Sequence, residues 1–504
     1  MAGISTWITR RAQRTPDAIA LIDATTGATT TYAQLAADSA RRAAALRARG
    51  VRRGDRVMMI GLNSTAQLAT MFAVARLAAI SVPVNFRLSP GEVAYLISDA
   101  TPTLLLHDDM FAELAATAAE QAPRAVDLVH LDALEAPEEV FAPEDPVTAD
   151  DVAMLMYTSG TTGKPKGAML THGNFEWNAI NMLVAGEGMT PRDKTLAVAP
   201  LFHIGGLSLY VLPLLYTGGT IVVAPAFDPA AALKLLEAHK VTVHFMVPAM
   251  WDAMRKVPNF DDHDLSSLRT LLCGGAPCPL PVIDFYQGKG LTFMEGFGMT
   301  ELAPAAMILE AQYVRTHAGS VGRPVFHDDV RIVDGDDRDV ATGEVGELLM
   351  AGPNVFAGYW GLPEVTAHDM RGGWFHTGDL ARMDADGFIT LVDRKKDMIV
   401  TGGENVYPIE VEQVLLSHPD VDDAAVIGLP DPKWGEGVTA VVSLRAQASV
   451  SADDLLAYCR DRIAHFKSPR RIEFLDVLPR NATGKLLKRT LREQFGSDGS
   501  AVTR

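Results

Sequence analysis

The sequence predicts a multidomain chain of α/β and α+β type: a large N-terminal domain of helix-covered sheets with a small barrel-like region, then a small C-terminal α+β lid. Three observations carry that expectation. At 504 residues with 48% apolar content, the chain is longer than one hydrophobic core organises. Short apolar runs alternate with stretches of helical periodicity, as in a mostly parallel sheet covered by helices. Beyond residue 393 a basic run, Arg394-Lys-Lys396, precedes a segment with strands and helices of its own. The expected boundaries are 1–393, 394–495 and a Gly/Ser-rich frayed tail, 496–504.

Small and apolar residues over 31–49 recur at helical spacing until Gly50 stops them. A strand over 55–60 follows, then Asn63 and Ser64 as caps of a helix reaching about Ala78. Strands over 81–84, 103–106 and 126–130 and a helix over 90–98 continue the alternation, and 135–150, rich in Pro, Glu and Asp, reads as a surface connection. A second alternating region has strands over 220–223, 241–245 and 268–272. Over 330–350 short polar-apolar alternations broken by Asp-Gly and Thr-Gly fit a small antiparallel barrel or sheet. The lid has predicted strands over 424–428 and 439–443 and helices over 410–416 and 451–463. No internal repeat is evident.

Composition narrows the function. A formal charge of −17 disfavours nucleic acid as a partner, so an anionic ligand must meet locally placed positive charge. Cys273, Cys278 and Cys459 are odd in number and apart from histidines, which argues against a disulfide framework or a zinc site and for packed thiols. The N-terminus lacks a signal-peptide pattern and no apolar run reaches about 18 residues. The expectation is a cytoplasmic enzyme with no integral membrane segment.

The densest chemistry lies in Tyr157-Thr-Ser-Gly-Thr-Thr-Gly-Lys-Pro-Lys-Gly167, after the apolar run 152–156. Its glycines let backbone N–H groups turn toward an anion; Thr158, Ser159, Thr161 and Thr162 add hydroxyls, and Lys164 and Lys166 add charge. The ordinary P-loop is excluded, because only two residues separate Gly160 from the Gly-Lys pair and Pro165 follows the lysine. A plain Gly/Thr hairpin is the bland alternative for such a run taken alone.

This string resembles the signature loop of the adenylate-forming superfamily, the acyl-CoA synthetases, adenylation domains and luciferases, and the likeness extends over most of the chain, with its nearest flavour in bacterial fatty-acyl-CoA synthetases. The resemblance implies an ATP-dependent acyl-CoA ligase: a carboxylic acid is activated as acyl-AMP, then transferred to coenzyme A with release of AMP. It implies ATP, Mg²⁺ and CoA as cofactors and a mobile lid. A carrier protein as acceptor, adenylation in the service of another bond such as nitrite activation, and a homodimer are alternatives that it leaves open.

Residue by residue, the resemblance assigns Thr158, Ser159, Gly160, Thr161, Thr162 and Lys166 to the phosphates. In Gly296-Phe-Gly-Met-Thr-Glu301, Phe297 stacks on adenine where the family usually has tyrosine, Thr300 contacts the α-phosphate, and Glu301, with Thr158, serves Mg²⁺. Gly274, Ala276 and Pro277 border adenine. Asp379, in Trp374-Phe-His-Thr-Gly-Asp379, takes the ribose hydroxyls, and Arg394 contacts ribose or phosphate. Lys485, in Pro479-Arg-Asn-Ala-Thr-Gly-Lys485, is the adenylation lysine.

For the thiol step the resemblance assigns His203 as a gate, Gly403 to the pantetheine path, and Arg87, Trp434 and Lys467 to the CoA nucleotide. It draws the acyl pocket from Trp177, His244, Phe245, Met246, Val247, Gly298, Leu302 and Ala303, a bulky and apolar set. Such a set favours a medium-chain fatty or aromatic acid over a small dicarboxylate, which would want a buried arginine. A packed core histidine is the plain alternative for His244.

Overall fold

The computed structural model describes residues 3–134, 146–158, 164–276, 278–395, 397–402, 404–446, 448–480 and 486–496. Its contacts divide the chain into two units, one of residues 1–330 and 350–375, the other of 331–349 and 376–504. Among the described residues, no helix is long and apolar enough to cross a membrane.

The first unit is built on three sheets. The largest runs Asp127–His130, Leu104–His107, Arg56–Ile60, Ile80–Val84, Val152–Thr158, Lys166–Thr171; only its last pair is antiparallel among the paired neighbours. Met58, Val82, Leu105 and Leu155 are wholly buried in it, which explains strands that read as continuous apolar runs. The helices covering this region start where their caps dictate. Thr31 and Gln34 form a capping box before Tyr32–Ala48, Ser89 and Glu92 another before Pro90–Ala100, and the Ser64 hydroxyl accepts from the Gln67 N–H ahead of Thr65–Arg76. That last helix stops short of the expected 78, where Ala78 takes a left-handed φ of +50°.

A second sheet orders Val243–Met246, Thr270–Gly274, Phe293–Gly298, Ala305–Leu309 and Arg323–Pro324, the first three parallel and the rest antiparallel. Two of its strands sit about two residues later than their apolar content indicated. The Thr242 carbonyl takes the N–H groups of Arg269 and Thr270, and pairing begins with Val243 opposite Thr270. The third sheet brings the N-terminal strand Ile19–Asp23 beside Thr220–Val223.

The second unit has a four-stranded sheet of Asp329–Val333, Gly346–Ala351, Phe375–Met383 and Ile389–Arg394, where turn-rich alternation predicted a small barrel or sheet. A further sheet pairs the long antiparallel strands Val421–Asp431 and Gly435–Leu444 and adds Arg471–Phe474 in parallel. Its core gathers Val411 and Leu415 from the helix Pro408–Leu416 with Val426, Val438 and Leu455.

Candidate active site

The strands Val152–Thr158 and Lys166–Thr171 are antiparallel, with Thr158 opposite Lys166 and Tyr157 opposite Gly167. Chain direction therefore reverses across the Gly/Thr run instead of passing from strand to helix as in a P-loop, in keeping with the spacing argument. Ser159, Gly160, Thr161 and Thr162 lie outside the described residues, as do Pro277, Gly403, Lys485 and the tail beyond Gly496, which ends the helix Lys488–Gly496. At the mouth of the hairpin the Thr158 hydroxyl donates to the Lys166 carbonyl (3.5 Å), and the Tyr157 hydroxyl to Asp99 Oδ2 (2.7 Å). Lys166 extends its ammonium over the Tyr359 ring, 4.0 Å from the centroid and 4.0 Å from Asp369 Oδ2.

The second motif is an antiparallel turn. Phe293–Gly298 enters it, Thr300–Leu302 forms one 3-10 turn, and Ala305–Leu309 leaves. Three glycines are fixed by backbone approach. A Cβ on Gly298 would lie 2.1 Å from the Pro304 carbonyl oxygen, one on Gly274 2.9 Å from that of Gly296, and one on Gly296 3.1 Å from that of Met307. Gly274 and Gly296 are direct partners in the parallel pair, so the open end of the strand carrying Gly274, Gly275 and Ala276 adjoins the half-buried Phe297. Glu301 is buried, and its Oε1 accepts from the Tyr359 hydroxyl at 3.0 Å. Thr300, half-buried, begins the same turn.

Within this unit the structure also joins two residues far apart in sequence. Phe202, next to His203 (ring centroids 4.6 Å apart), sets its edge against Phe86, over which the Arg87 guanidinium lies at 5.3 Å. His203 is half-buried at the start of the helix Ile204–Ser208, and Arg87 is exposed.

The acyl-pocket assignments divide by strand alternation. Phe245 and Val247 face one side, where a Cβ on Gly205 would meet the Phe245 ring at 3.2 Å and one on Gly275 would meet Val247 at 3.5 Å. His244 and Met246 face the other side and are fully buried, His244 edge-on to Trp251 with ring centroids 5.5 Å apart. Adjacent residues of one strand do not line one pocket wall, so His244 is the packed core histidine. Burial lowers its pKa to about 3, against a hydrogen bond with the Leu196 backbone that acts the other way. Leu302 and Ala303 are fully buried within the turn. Trp177 sits 5.1 Å from the His327 ring. A cavity of about 10 Å³ beside Phe245, room for one water, is lined by Thr195, Ala199, Gly205, Gly206, Tyr210 and Val211 and by no charged side chain among the described residues.

In the second unit, Asp379 and Arg394 are cross-strand partners, and Arg394 Nε lies 2.6 Å from Asp379 Oδ1. The two residues expected at the ribose thus meet through sheet register. Gly378, at φ +70°, makes the bend, and its carbonyl accepts from the Lys395 N–H. Trp434 lies under the Arg470 guanidinium (4.4 Å) and against Gly402, where a Cβ would come 2.8 Å from the indole. Lys467 is occupied by a two-oxygen ion pair with Glu410, each contact 2.8 Å. For it to meet a CoA phosphate, the phosphate must compete with that carboxylate.

These donor sets suit the groups that the resemblance implied. Among the described residues no cluster of three or more His, Cys, Asp or Glu forms a protein-only metal cage. The buried carboxylate of Glu301, in the same unit as the Thr158 hydroxyl and Lys166, suits the way Mg²⁺ is held jointly by one or two carboxylates and substrate phosphates. Two residues that the sequence reading passed over are Tyr359, on Glu301, and Asn354, whose Nδ2 donates to the Leu302 and Ala305 carbonyls (2.8 and 3.0 Å). The signal available for them was the conjunction of Asn354 with the Gly358-Tyr-Trp360 run, too short to mean anything without its partner in space.

Comparison with known proteins bears directly on this arrangement. A model of the AMP-binding enzyme family matches residues 8–360, and one of the AMP-binding enzyme C-terminal domain matches 410–485. A feruloyl-CoA synthase of Amycolatopsis sp is 46% identical over 494 residues, 98% of this chain and 99% of the relative. An indoleacetate–CoA ligase of Aromatoleum aromaticum is 38% identical, with 92% of each covered. The o-succinylbenzoate CoA synthetase of Bacillus subtilis in complex with its acyl-adenylate intermediate superposes with a TM-score of 0.89 at 36% identity over 98% of both chains. That enzyme has also been solved with ATP and magnesium ion. With both family models matched and relatives of nearly full length, the chain belongs to the AMP-binding, adenylate-forming enzymes, and within them to the AMP-forming acid–thiol ligases.

Proposed function

We propose that this chain activates an aromatic carboxylic acid bearing a short side chain and delivers it to CoA. The observation that carries the acid class is the wall beside Phe245. Glycine backbone at Gly205 lets the Phe245 ring pack close, and no lysine or arginine is among the described lining residues to receive a second carboxylate. The feruloyl and indoleacetate ligases, whose names denote aromatic acids, are 46% and 38% identical to it. CoA is the acceptor in this reading, in preference to a carrier protein or to nitrite.

The residues divide the work as follows. Lys166 and Thr158 face the phosphates, and Phe297 stacks on adenine between the backbone at Gly274 and the Gly298 turn. Thr300 contacts the α-phosphate and Glu301 holds Mg²⁺, which when bound offsets charge on the departing pyrophosphate. Asp379 accepts from both ribose hydroxyls while Arg394 keeps its carboxylate oriented. Lys485 supplies positive charge between the acid and the α-phosphate, and the lid, hinged near Arg394, then exchanges Lys485 for Gly403 so that the thiol can enter. His203 gates the acid, and Arg87 and Trp434 hold the CoA nucleotide.

The test is AMP formation with hydroxycinnamate, indoleacetate, octanoate, palmitate and malonate, each with and without CoA. The aryl acids should give the highest kcat/KM, octanoate less, and turnover should require CoA. The preference against palmitate should be graded, since each buried methylene is worth about 0.8 kcal/mol. A clear preference for palmitate or malonate would overturn the reading.

A further inference from the structure

Residues 353–360 run between the two phosphate-handling motifs and touch both. On one side they pair with the strand that begins at Lys166: the Ala357 N–H donates to the Met169 carbonyl, the Met169 N–H to that of Gly358, and the Trp360 N–H to that of Gly167. On the other side the Phe356 N–H donates to the Glu301 carbonyl at 2.9 Å. Tyr359 stands where these contacts converge. It is 5% exposed, edge-on to Phe356 at 4.8 Å, and its N–H donates to the Thr366 hydroxyl. Its ring orientation is therefore set by packing from one side and backbone pairing from the other.

From that fixed ring both motifs are served at once. The hydroxyl donates to Glu301 Oε1 at 3.0 Å, and the face carries the Lys166 ammonium at 4.0 Å. We propose that Tyr359 is a positioning residue: it holds the carboxylate that binds Mg²⁺ in one orientation and the phosphate-loop lysine in register with it. This rests on the assignment of Glu301 to Mg²⁺ given above. Ion-ligating carboxylates are tuned by the group that hydrogen-bonds their other oxygen, and removing such a partner typically weakens metal binding by about 10- to 100-fold. A cation over a desolvated aromatic face is held there by the ring quadrupole, which the hydroxyl is not needed to supply. The two functions are thus separable by substitution.

Tyr359→Phe deletes only the hydroxyl, and Tyr359→Leu deletes the ring as well. ATP binding should be measured by titration calorimetry in EDTA and in Mg²⁺, alongside the Mg²⁺ dependence of acyl-AMP formation at saturating ATP. Tyr359→Phe should keep wild-type ATP affinity in EDTA and an unchanged KM for the acid, while its half-saturating Mg²⁺ rises about tenfold. Mn²⁺, a more avid divalent ion, should restore much of the rate. Tyr359→Leu should in addition weaken ATP binding in EDTA, through Lys166. If Tyr359→Phe lowers rate or melting temperature with its Mg²⁺ response unmoved, the residue is merely structural and the proposal fails. Equal loss of metal-free ATP binding in both variants would break the link to Lys166. Glu301→Gln separates the two levels: if that variant keeps a wild-type Mg²⁺ response, the assignment of Glu301 is wrong and the role of Tyr359 falls with it.

Discussion

His244 shows how strictly a single side chain can be placed by backbone alternation. Its neighbour Phe245 packs its ring against Gly205, whereas the imidazole is enclosed beside Trp251 with a pKa lowered by burial from 6.5 to about 3. The sign of the consequence follows from proton counting. Between about pH 6.5 and 3 the unfolded chain binds a proton at this position that the folded chain refuses, so stability falls as the medium is acidified through that window. His172, buried and lowered to about 4, acts in the same direction. At pH 5 the His244 contribution alone is about 2 kcal/mol. His244→Leu removes the group that titrates, so it should flatten the decline of the melting temperature from pH 7.5 toward pH 5. Thermal unfolding at the two pH values reads this out. A change in acid selectivity without the change in pH slope would return His244 to the acyl pocket.

At the scale of elements, the helix His172–Val184 organises the first unit in a way the sequence hid. Asn174, Asn178 and Asn181 recur on one face, all buried. Asn174 Nδ2 donates to the carbonyls of Pro353 and Val355, Asn178 binds the Ser208 carbonyl and the Ala305 N–H, and Asn181 Oδ1 accepts from His327 N–H. Asn354 then holds the Glu301 turn through Leu302 and Ala305. Asn178→Ala and Asn354→Ala each orphan buried backbone groups, at about 1–3 kcal/mol apiece. Both should lower the melting temperature and, by loosening the turn, reduce kcat/KM for ATP. Wild-type ATP kinetics in Asn354→Ala would show that the turn holds its shape without the clamp. Sequence reading passed this helix over for a physical reason: buried amides interrupt the apolar period by which a helix face is recognised, and the capping box closes with Asn174 in place of an acid or glutamine. The strands over 56–60 and 220–223 were legible because burial on both faces demands unbroken apolar residues. The pairing of Asp379 with Arg394 was legible only as two separate motifs; that they touch is a property of hairpin register, which no local pattern encodes.

At the scale of the whole molecule, two half-reactions make opposite demands on the lid. Adenylation needs a positive charge where the acid meets the α-phosphate, while thiol attack needs that space open for a narrow pantetheine arm. A single rigid arrangement serves one demand at the expense of the other; in the proposed mechanism Lys485 meets the first and Gly403 the second, with the lid beyond Arg394 turning between them. The segment beyond Arg394 has a core of its own around Val426, Val438 and Leu455, which is compatible with such motion. Lys485→Ala should cost about 100-fold or more in acyl-AMP formation, by removing charge stabilisation at the α-phosphate. Preformed acyl-AMP mixed with CoA should still yield thioester at close to the wild-type rate. Gly403→Leu should do the reverse, leaving single-turnover pyrophosphate release largely intact and blocking thioester formation. Rapid-quench measurement of each half-reaction distinguishes these outcomes. Should Lys485→Ala slow both steps equally, the lysine acts through folding or the lid does not alternate, and the division of labour between Lys485 and Gly403 has to be abandoned.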